Sequence, residues 1–278
     1  MKIVNCMEVE DQDIFNAFKL GFSDYVIPFN MDLHTFITRF FHIEGNHRQY
    51  SFIAFDDTHP VGIVLGGINE YDGIKTMRCG ALSIAPDYRG KGVSQELMRA
   101  HESIAATEGC RLLMLEVLCE NNRAIHFYEK LGYCLTYNLF YYTLFKNDLA
   151  VASKHCKAYS QPLNVSVDDL IMLKESMIDM HINWQNDFHY IDKIVSMTYY
   201  GIYKEASLSP KDLIAFAAVD DHGKIYRIYT HPKHRGKHLG KTLIHHIFEN
   251  HSFESVTFSA PASSSISAFL YSVGFNNE

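Results

Sequence analysis

The phrase Pro86-Asp87-Tyr88-Arg89-Gly90-Lys91-Gly92 returns 146 positions later as Pro232-Lys233-His234-Arg235-Gly236-Lys237-His238, each time between a strand pattern and a helical one. That recurrence implies two similar units in tandem, since a chain of 278 residues has room for roughly two domains. Ahead of the first copy, residues 77–84 read as a strand. Behind it, Leu97, Ala100, His101, Ile104 and Ala105 fall at helical spacing. A strand that runs through a glycine turn into a helix forms a phosphate cradle, because the helix start leaves backbone N–H groups unpaired and carries partial positive charge. Gly90 and Gly92 have no side chain to hold a pyrophosphate off that backbone.

The rest of the first half alternates. Residues 2–6 read as a strand, and 11–20 and 32–43 as helices, the second capped by Asp32. Strands follow at 50–55, 61–69 and 74–84, joined by turn signals at Asp56-Asp57 and Tyr71-Asp72-Gly73. The apolar run 111–118 has the character of a buried parallel strand; a helix over 121–131 and a long strand over 134–145 complete the half. Residues 146–162 lack periodicity and are predicted to link the halves. Beyond them, 167–179 and 191–199 read as helices, and 201–205, 213–219, 224–229 and 255–259 as strands. No counterpart of the strand at 134–145 follows Gly274, which predicts a sheet edge that the other half or a partner chain must cover.

Arg89, Gly92 and Ser94 resemble motif A of the GNAT N-acyltransferases, whose pattern is Arg or Gln, two residues, Gly, one residue, then Gly or Ala. Asn121, Ala124, Tyr128 and Gly132-Tyr133 resemble that family's later motif on its fourth helix, in the family's order and spacing. The resemblance is strongest over 1–145 and weaker over 160–278. It implies an α/β fold of two tandem GNAT-like domains, each a mixed, largely antiparallel central sheet flanked by helices. The expected layout is an acetyltransferase domain at 1–145, a linker at 146–162 and a degenerate domain at 163–278.

The resemblance also implies acetyl-CoA as cosubstrate, no metal, and direct attack on the thioester by a primary amine. The backbones of Leu82, Ser83 and Ile84 would line the acetyl and pantetheine arm. Arg89, Gly90, Lys91, Gly92, Val93 and Ser94 would hold the pyrophosphate, and Asn121 the cofactor arm or only its own helix start. Tyr128 would protonate the departing thiolate, since a phenol with a pKa of about 10 keeps its proton where a thiol of about 8.5 begins to lose it. Glu116 is a candidate general base, because a carboxylate inside the apolar run 112–118 is costly unless paired, hydrogen-bonded or protonated; satisfaction by neighbouring backbone is the plainer alternative. Asp24, Tyr25, His34, Glu70 and Asp72 lie in segments that could frame an acceptor cleft.

The second half carries weaker chemistry. His238 replaces the cradle glycine, and aligning Gly274-Phe275 with Gly132-Tyr133 puts Leu270 at the place of Tyr128 and Ser263 at that of Asn121. Tyr271 is one residue away, a turn of about 100° around a helix. This half is predicted to be structural or substrate-shaping. Residues 236–242 end like a P-loop but have three residues between the glycines where four are needed. The histidines there lack a Cys or carboxylate to complete a metal set. A non-catalytic acyl-CoA sensor or scaffold is the rival class, against which Tyr128 and Asn121 weigh.

With 25 basic and 32 acidic residues the net charge is -7, which repels nucleic acid in bulk. No leader or membrane span is legible, and six scattered cysteines form no framework, so a cytoplasmic location is expected. The acceptor is predicted to be a small-molecule or peptide amine, with no nucleic acid or membrane partner and homo-oligomers left open.

Overall fold

The computed structural model describes residues 1–150, 158–170, 173, 177, 183–204, 209–262 and 264–277. Chain contacts divide it into two units, Met1–Cys134 and Leu135–Glu278.

In the first unit, β1 (Lys2–Asn5), β2 (Phe52–Asp56), β3 (His59–Tyr71) and β4 (Ile74–Ile84) pair antiparallel in that order, and β5 (Leu112–Leu115) lies parallel to β4. Two tight hairpins set the order, with Asp57 and Asp72 left-handed at their tips. Helix α1 (Asp11–Gly21) and α2, an α-helical turn Leu33–Phe36 that continues as a π-helix over Ile37–Ile43, pack Phe15, Phe18, Phe36 and Phe40 against Ile53, Ile63 and Leu65. Asp32 caps α2 as predicted, its carboxylate accepting from the Thr35 amide at 2.7 Å. On a second cluster, α3 (Val93–Thr107) sets Leu97 and Met98 against Ala54, Val61 and Val64, and α4 (Asn122–Lys130) adds Phe127 and Tyr128. Burying a side chain such as Leu97 is worth about 1.5–3 kcal/mol, so these two clusters fix where the sheet's functional end can lie.

The second unit repeats the plan around a seven-stranded sheet. Strands β7 (Leu163–Asn164), β8 (Thr198–Tyr203), β9 (Leu213–Val219) and β10 (Lys224–Thr230) pair antiparallel, and β11 (Ser255–Pro261) runs parallel to β10. Helices α5 (Phe188–Ile191), α6 (Leu239–Asn250) and α7 (Ser264–Val273) accompany them.

The strand predicted to end the first half lies instead in this second sheet. It is β6 (Leu139–Phe145), paired antiparallel with β11 from Phe145 opposite Ser255 to Leu139 opposite Pro261, while β12 (Asn276–Asn277) pairs on its other side. Tyr142 and Leu144 of β6 are fully buried in that sheet's core. The predicted open edge beyond β11 is therefore covered by a strand that precedes the predicted linker, and the unit boundary falls at 134/135, ahead of residue 145.

Three other expectations change. Residues 191–199 do not form a helix: α5 ends at Ile191, and the β-branched and aromatic run from Thr198 joins β8, where it pairs with β9. Of the predicted helix 167–179, Asp168–Leu170 forms a 3-10 turn and most of the remainder lies outside the described residues, as do Ser263 and residues 151–157 of the predicted linker. The strand predicted over 111–118 is confined to β5. Among the described residues no helix is long and apolar enough to cross a membrane.

Candidate active site

The first unit opens where β4 and β5 part. Leu65 pairs with Ala81 and Gly66 with Cys79, which leaves Gly80 as the extra residue of a β-bulge. A side chain at Gly80 would collide with that of Asn46, which is buried and donates from Nδ2 to the Phe40 carbonyl at 2.8 Å. The last β4–β5 pair joins Cys79 to Leu115; β4 then continues to Ile84 while β5 stops. The main-chain groups of Ala81, Leu82, Ser83 and Ile84 on that side face a splay in place of a strand. Their other side is held by β3. The Ser83 side chain is buried beneath Gly21 of α1, so any ligand contact from Ser83 is made by its backbone.

At the end of β4 the chain enters the predicted cradle. Gly90 and Gly92 are left-handed, with φ of 76° and 85°, and open space lies where their Cβ atoms would be. Gly92 is the N-cap of α3 and offers no side-chain oxygen, so the first-turn amides of the helix lack a cap. Ser94 keeps its hydroxyl on Gln95 at 3.2 Å, and Lys91 stands over the Tyr88 ring.

Arg89 departs from expectation. Its Nε donates to the Ile84 carbonyl at 3.0 Å and its Nη2 to the Gly21 carbonyl at 3.0 Å, while Nη1 and Nη2 grip Asp24 at 2.6 and 2.7 Å. The guanidinium thus ties the α1–α2 loop to the end of β4, and the cradle itself is made of backbone. This pairing holds the Asp24 carboxyl below its usual range, chiefly through the Arg89 hydrogen bonds.

Tyr128 lies partly buried against Phe127 and Tyr133, with ring centroids 5.3 and 5.8 Å away. Burial drives its hydroxyl pKa far above the ordinary phenol value, with smaller contributions from Cys79, Tyr133 and Tyr25. Those neighbours locate it: Cys79 is the β4 residue at the apex of the splay, and Tyr25 belongs to the loop that Asp24 anchors. Asn121 acts as the N-cap of α4, its Oδ1 accepting from the Ala124 amide at 3.1 Å.

Glu116 falls one residue past β5 and is exposed, so it does not sit inside a buried apolar strand as its sequence setting suggested. Of the acceptor candidates, Asp24 and Tyr25 stand beside the cradle and Tyr128; His34 is exposed on α2, and Glu70 and Asp72 sit at the β3–β4 hairpin, at the opposite end of β4 from the cradle. Sequence reasoning missed a buried polar group next to the bulge. There Glu44 accepts from Arg39 Nε at 3.1 Å and from Arg78 Nη2 at 3.3 Å, Arg78 being nearly fully buried. A lone Arg within the apolar strand 74–84 was the signal available.

The second unit keeps the frame and closes the site. Arg235 Nε donates to the Thr230 carbonyl at 3.0 Å as Arg89 does to Ile84, and His238 takes the left-handed conformation of Gly92 with φ of 63°. The position that is bare in the first cradle therefore carries a side chain here, and the Phe269 ring covers Gly240. The β10–β11 pairing ends after Ile225 and Phe258, so a splay forms here too. Asn186 crosses it, donating from Nδ2 to the Ser259 carbonyl at 2.8 Å while its own carbonyl accepts from Arg227 Nε at 3.2 Å. Leu270 is fully buried, and the Tyr271 hydroxyl donates to Asn277.

A splayed parallel strand pair beside a glycine-lined helix start, in an α/β sheet of this order, defines the class as a GNAT-type fold, present twice. The model of the acetyltransferase (GNAT) family matches residues 13–133 and 172–275, and the chain belongs to that family. It is 32% identical over 98 residues to N-alpha-acetyltransferase 30 of Schizosaccharomyces pombe, an alignment spanning 34% of this chain and 65% of that protein. It is 38% identical over 73 residues to an acetyltransferase of Sodalis glossinidius, spanning 26% of this chain and 49% of the relative. Among solved structures, a tandem GNAT protein from the clavulanic acid biosynthesis pathway superposes with a TM-score of 0.66 at 13% identity, covering 99% of this chain and 95% of that one. The glucosamine N-acetyltransferase region of a fungal multi-domain β-N-acetylglucosaminidase gives 0.70 at 13% identity, over 98% of this chain and 36% of that one. These likenesses establish the fold.

Proposed function

We propose that the first unit transfers an acetyl group from acetyl-CoA to a primary amine, and that the second unit does not catalyse. The observation that carries this is the β4–β5 splay with a phenol at its apex and a backbone cradle at its end. The residues fit the cosubstrate. Main-chain groups of Ala81, Leu82 and Ser83 on the side of β4 that β5 leaves open would pair with the pantetheine amides, as buried backbone polar groups require. The bare Gly90–Gly92 turn and the uncapped amides of α3 would receive the diphosphate. Tyr128 is a phenol that keeps its proton at neutral pH, so it fits a donor to the departing sulfur rather than a base. The ammonium first loses one proton to solvent; the amine nitrogen then bonds to the carbonyl carbon, the carbon–sulfur bond breaks, Tyr128 gives its proton to the sulfur, and the second proton released from the nitrogen returns Tyr128 to the phenol by way of solvent.

The acceptor we infer is the α-amine of a peptide. The curated relative that carries the longer name acts, by that name, on α-amines. The loop tied down by Asp24–Arg89 also exposes Val26 and Ile27 beside Tyr25, an apolar rim suited to the first side chains of a peptide. Release of free thiol from acetyl-CoA, measured with N-terminal peptides, spermine and free amino acids, tests both statements. Turnover is expected with peptides. Tyr128→Phe should lower kcat by about 10²-fold or more while acetyl-CoA affinity stays within about twofold. Saturable CoA binding without turnover on any amine would favour a sensor.

A further inference from the structure

The two units diverge in charge at one equivalent corner. In the first, the Ala85 amide donates to the Val61 carbonyl at 2.8 Å; in the second, His231 donates to Ile214 at 2.8 Å. This register makes Ala85 equivalent to His231, Tyr88 to His234, and Asp56, opposite His59 in the hairpin, to Lys204, opposite Asp212. The first unit closes the corner with a hydrogen bond from the Tyr88 hydroxyl to Asp56 Oδ2 at 2.8 Å. In the second unit the carboxylate has become an ammonium and the phenol an imidazole. The hairpin connection lengthens from two residues to seven. A cavity of about 270 Å³ opens there, lined by Lys204, Lys211, His231, His234 and Asp212, with Leu213 and Ile214 on its apolar wall. That volume lies just below the range of about 300–1,000 Å³ common for small-molecule pockets.

We propose that this corner of the second unit binds a small phosphate-bearing anion, held by Lys204, Lys211, His231 and His234. Among the described lining residues four basic side chains accompany a single carboxylate, Asp212. Both histidines are oriented by their Nδ1 atoms. Lys233 donates its amide to His231 Nδ1 at 3.3 Å, and the Tyr159 hydroxyl lies 3.2 Å from His234 Nδ1, so the Nε2 edge of each ring remains for a ligand. The crowding is visible in His234, which burial and then His231, Lys204 and Lys233 push below the usual histidine value. An anion relieves that repulsion and draws a proton onto the His234 ring, so its affinity rises as pH falls. The site does not involve the β10–β11 splay and is independent of the acetyl-transfer reading.

Imidazole NMR of the full-length chain reads the corner directly, with sulfate as the probe because its charge is constant between pH 6 and pH 8. At constant ionic strength, sulfate should shift the His231 and His234 signals saturably, with half-saturation at least tenfold lower at pH 6 than at pH 8. Lys204→Asp, which restores the charge found at Asp56, should raise the half-saturation at least tenfold, and inorganic phosphate at pH 7 should show the same loss in the variant as sulfate does. Lys211→Gln, on the exposed rim, serves if the first variant does not fold, with a rise of threefold or more expected. Absence of saturable shifts at these two histidines, or equal half-saturation in the variants and wild type, would overturn the proposal and leave an adventitious ion only.

Discussion

His101 gives the chain a defined acid weakness. It lies on α3 wholly out of solvent, and neither ring nitrogen has a hydrogen-bond partner. Gly66 of β3 faces it with no side chain, the ring Nδ1 being 3.1 Å from where a Cβ would stand. Burial lowers its pKa from 6.5 to about 4. The unfolded chain therefore takes up the proton first, so stability present above pH 6.5 is withdrawn as pH falls toward 4. At about 1.36 kcal/mol per pH unit, this one ring costs the fold about 2 kcal/mol at pH 5 and about 3 kcal/mol at pH 4, and almost nothing at pH 7. His101→Leu removes the titration and the two unpaired polar atoms together, so it should be neutral or stabilising at pH 7. Urea midpoints for both proteins at pH 7 and pH 5 measure the difference. The wild type should lose about 2 kcal/mol more than the variant across that interval. Equal losses would show that His101 is not held neutral by burial, and the reasoning would fall.

Three further outcomes are expected. Gly92→Ala forces a side chain into a left-handed turn and over the open cradle; it should destabilise the first unit by about 1 kcal/mol in thermal melts and weaken CoA binding at least tenfold by calorimetry. Glu116→Gln should leave kcat/KM within about twofold, because an exposed carboxylate beyond β5 has no desolvated charge to contribute; a hundredfold loss would restore it as a base. Asn186→Ala removes the buried side-chain bond to the Ser259 carbonyl of β11, while Arg227 keeps its bond to the main-chain carbonyl of residue 186, and should cost about 1–3 kcal/mol in denaturant unfolding, with no change in acetyl transfer by the first unit.

What the sequence disclosed was local. The strand β4, the glycine turn and α3 follow from apolar periodicity and two glycines within about twenty residues, and Tyr128 follows from the short motif around it. Asp32 announced itself as a cap for the same reason, and for Asn121 the cap was one of two roles the sequence left open. Longer-range partners were invisible. Nothing near Arg89 indicates that Asp24, 65 residues earlier, occupies its guanidinium. The apolar and aromatic run of residues 139–145 would suit either sheet, and only the pairing with β11 decides. The burial expected of Glu116 came from equating an apolar run with a buried strand, whereas β5 stops at Leu115. The Asn186 bridge and the basic corner at Lys204 depend on contacts across the second sheet that no short window contains.

The handover of β6 decides how this chain can be dissected. A fragment ending at residue 145 would carry away a strand paired along seven residues with β11 and along two with β12, leaving the remainder with a raw flank and the fragment with a sticky tail. A cut after Cys134 respects both hydrogen-bond ladders. Expression trials of the separate halves, and any transplant of one half into another GNAT pair, therefore have to be drawn at the seam of the sheets and not at the seam of the repeat.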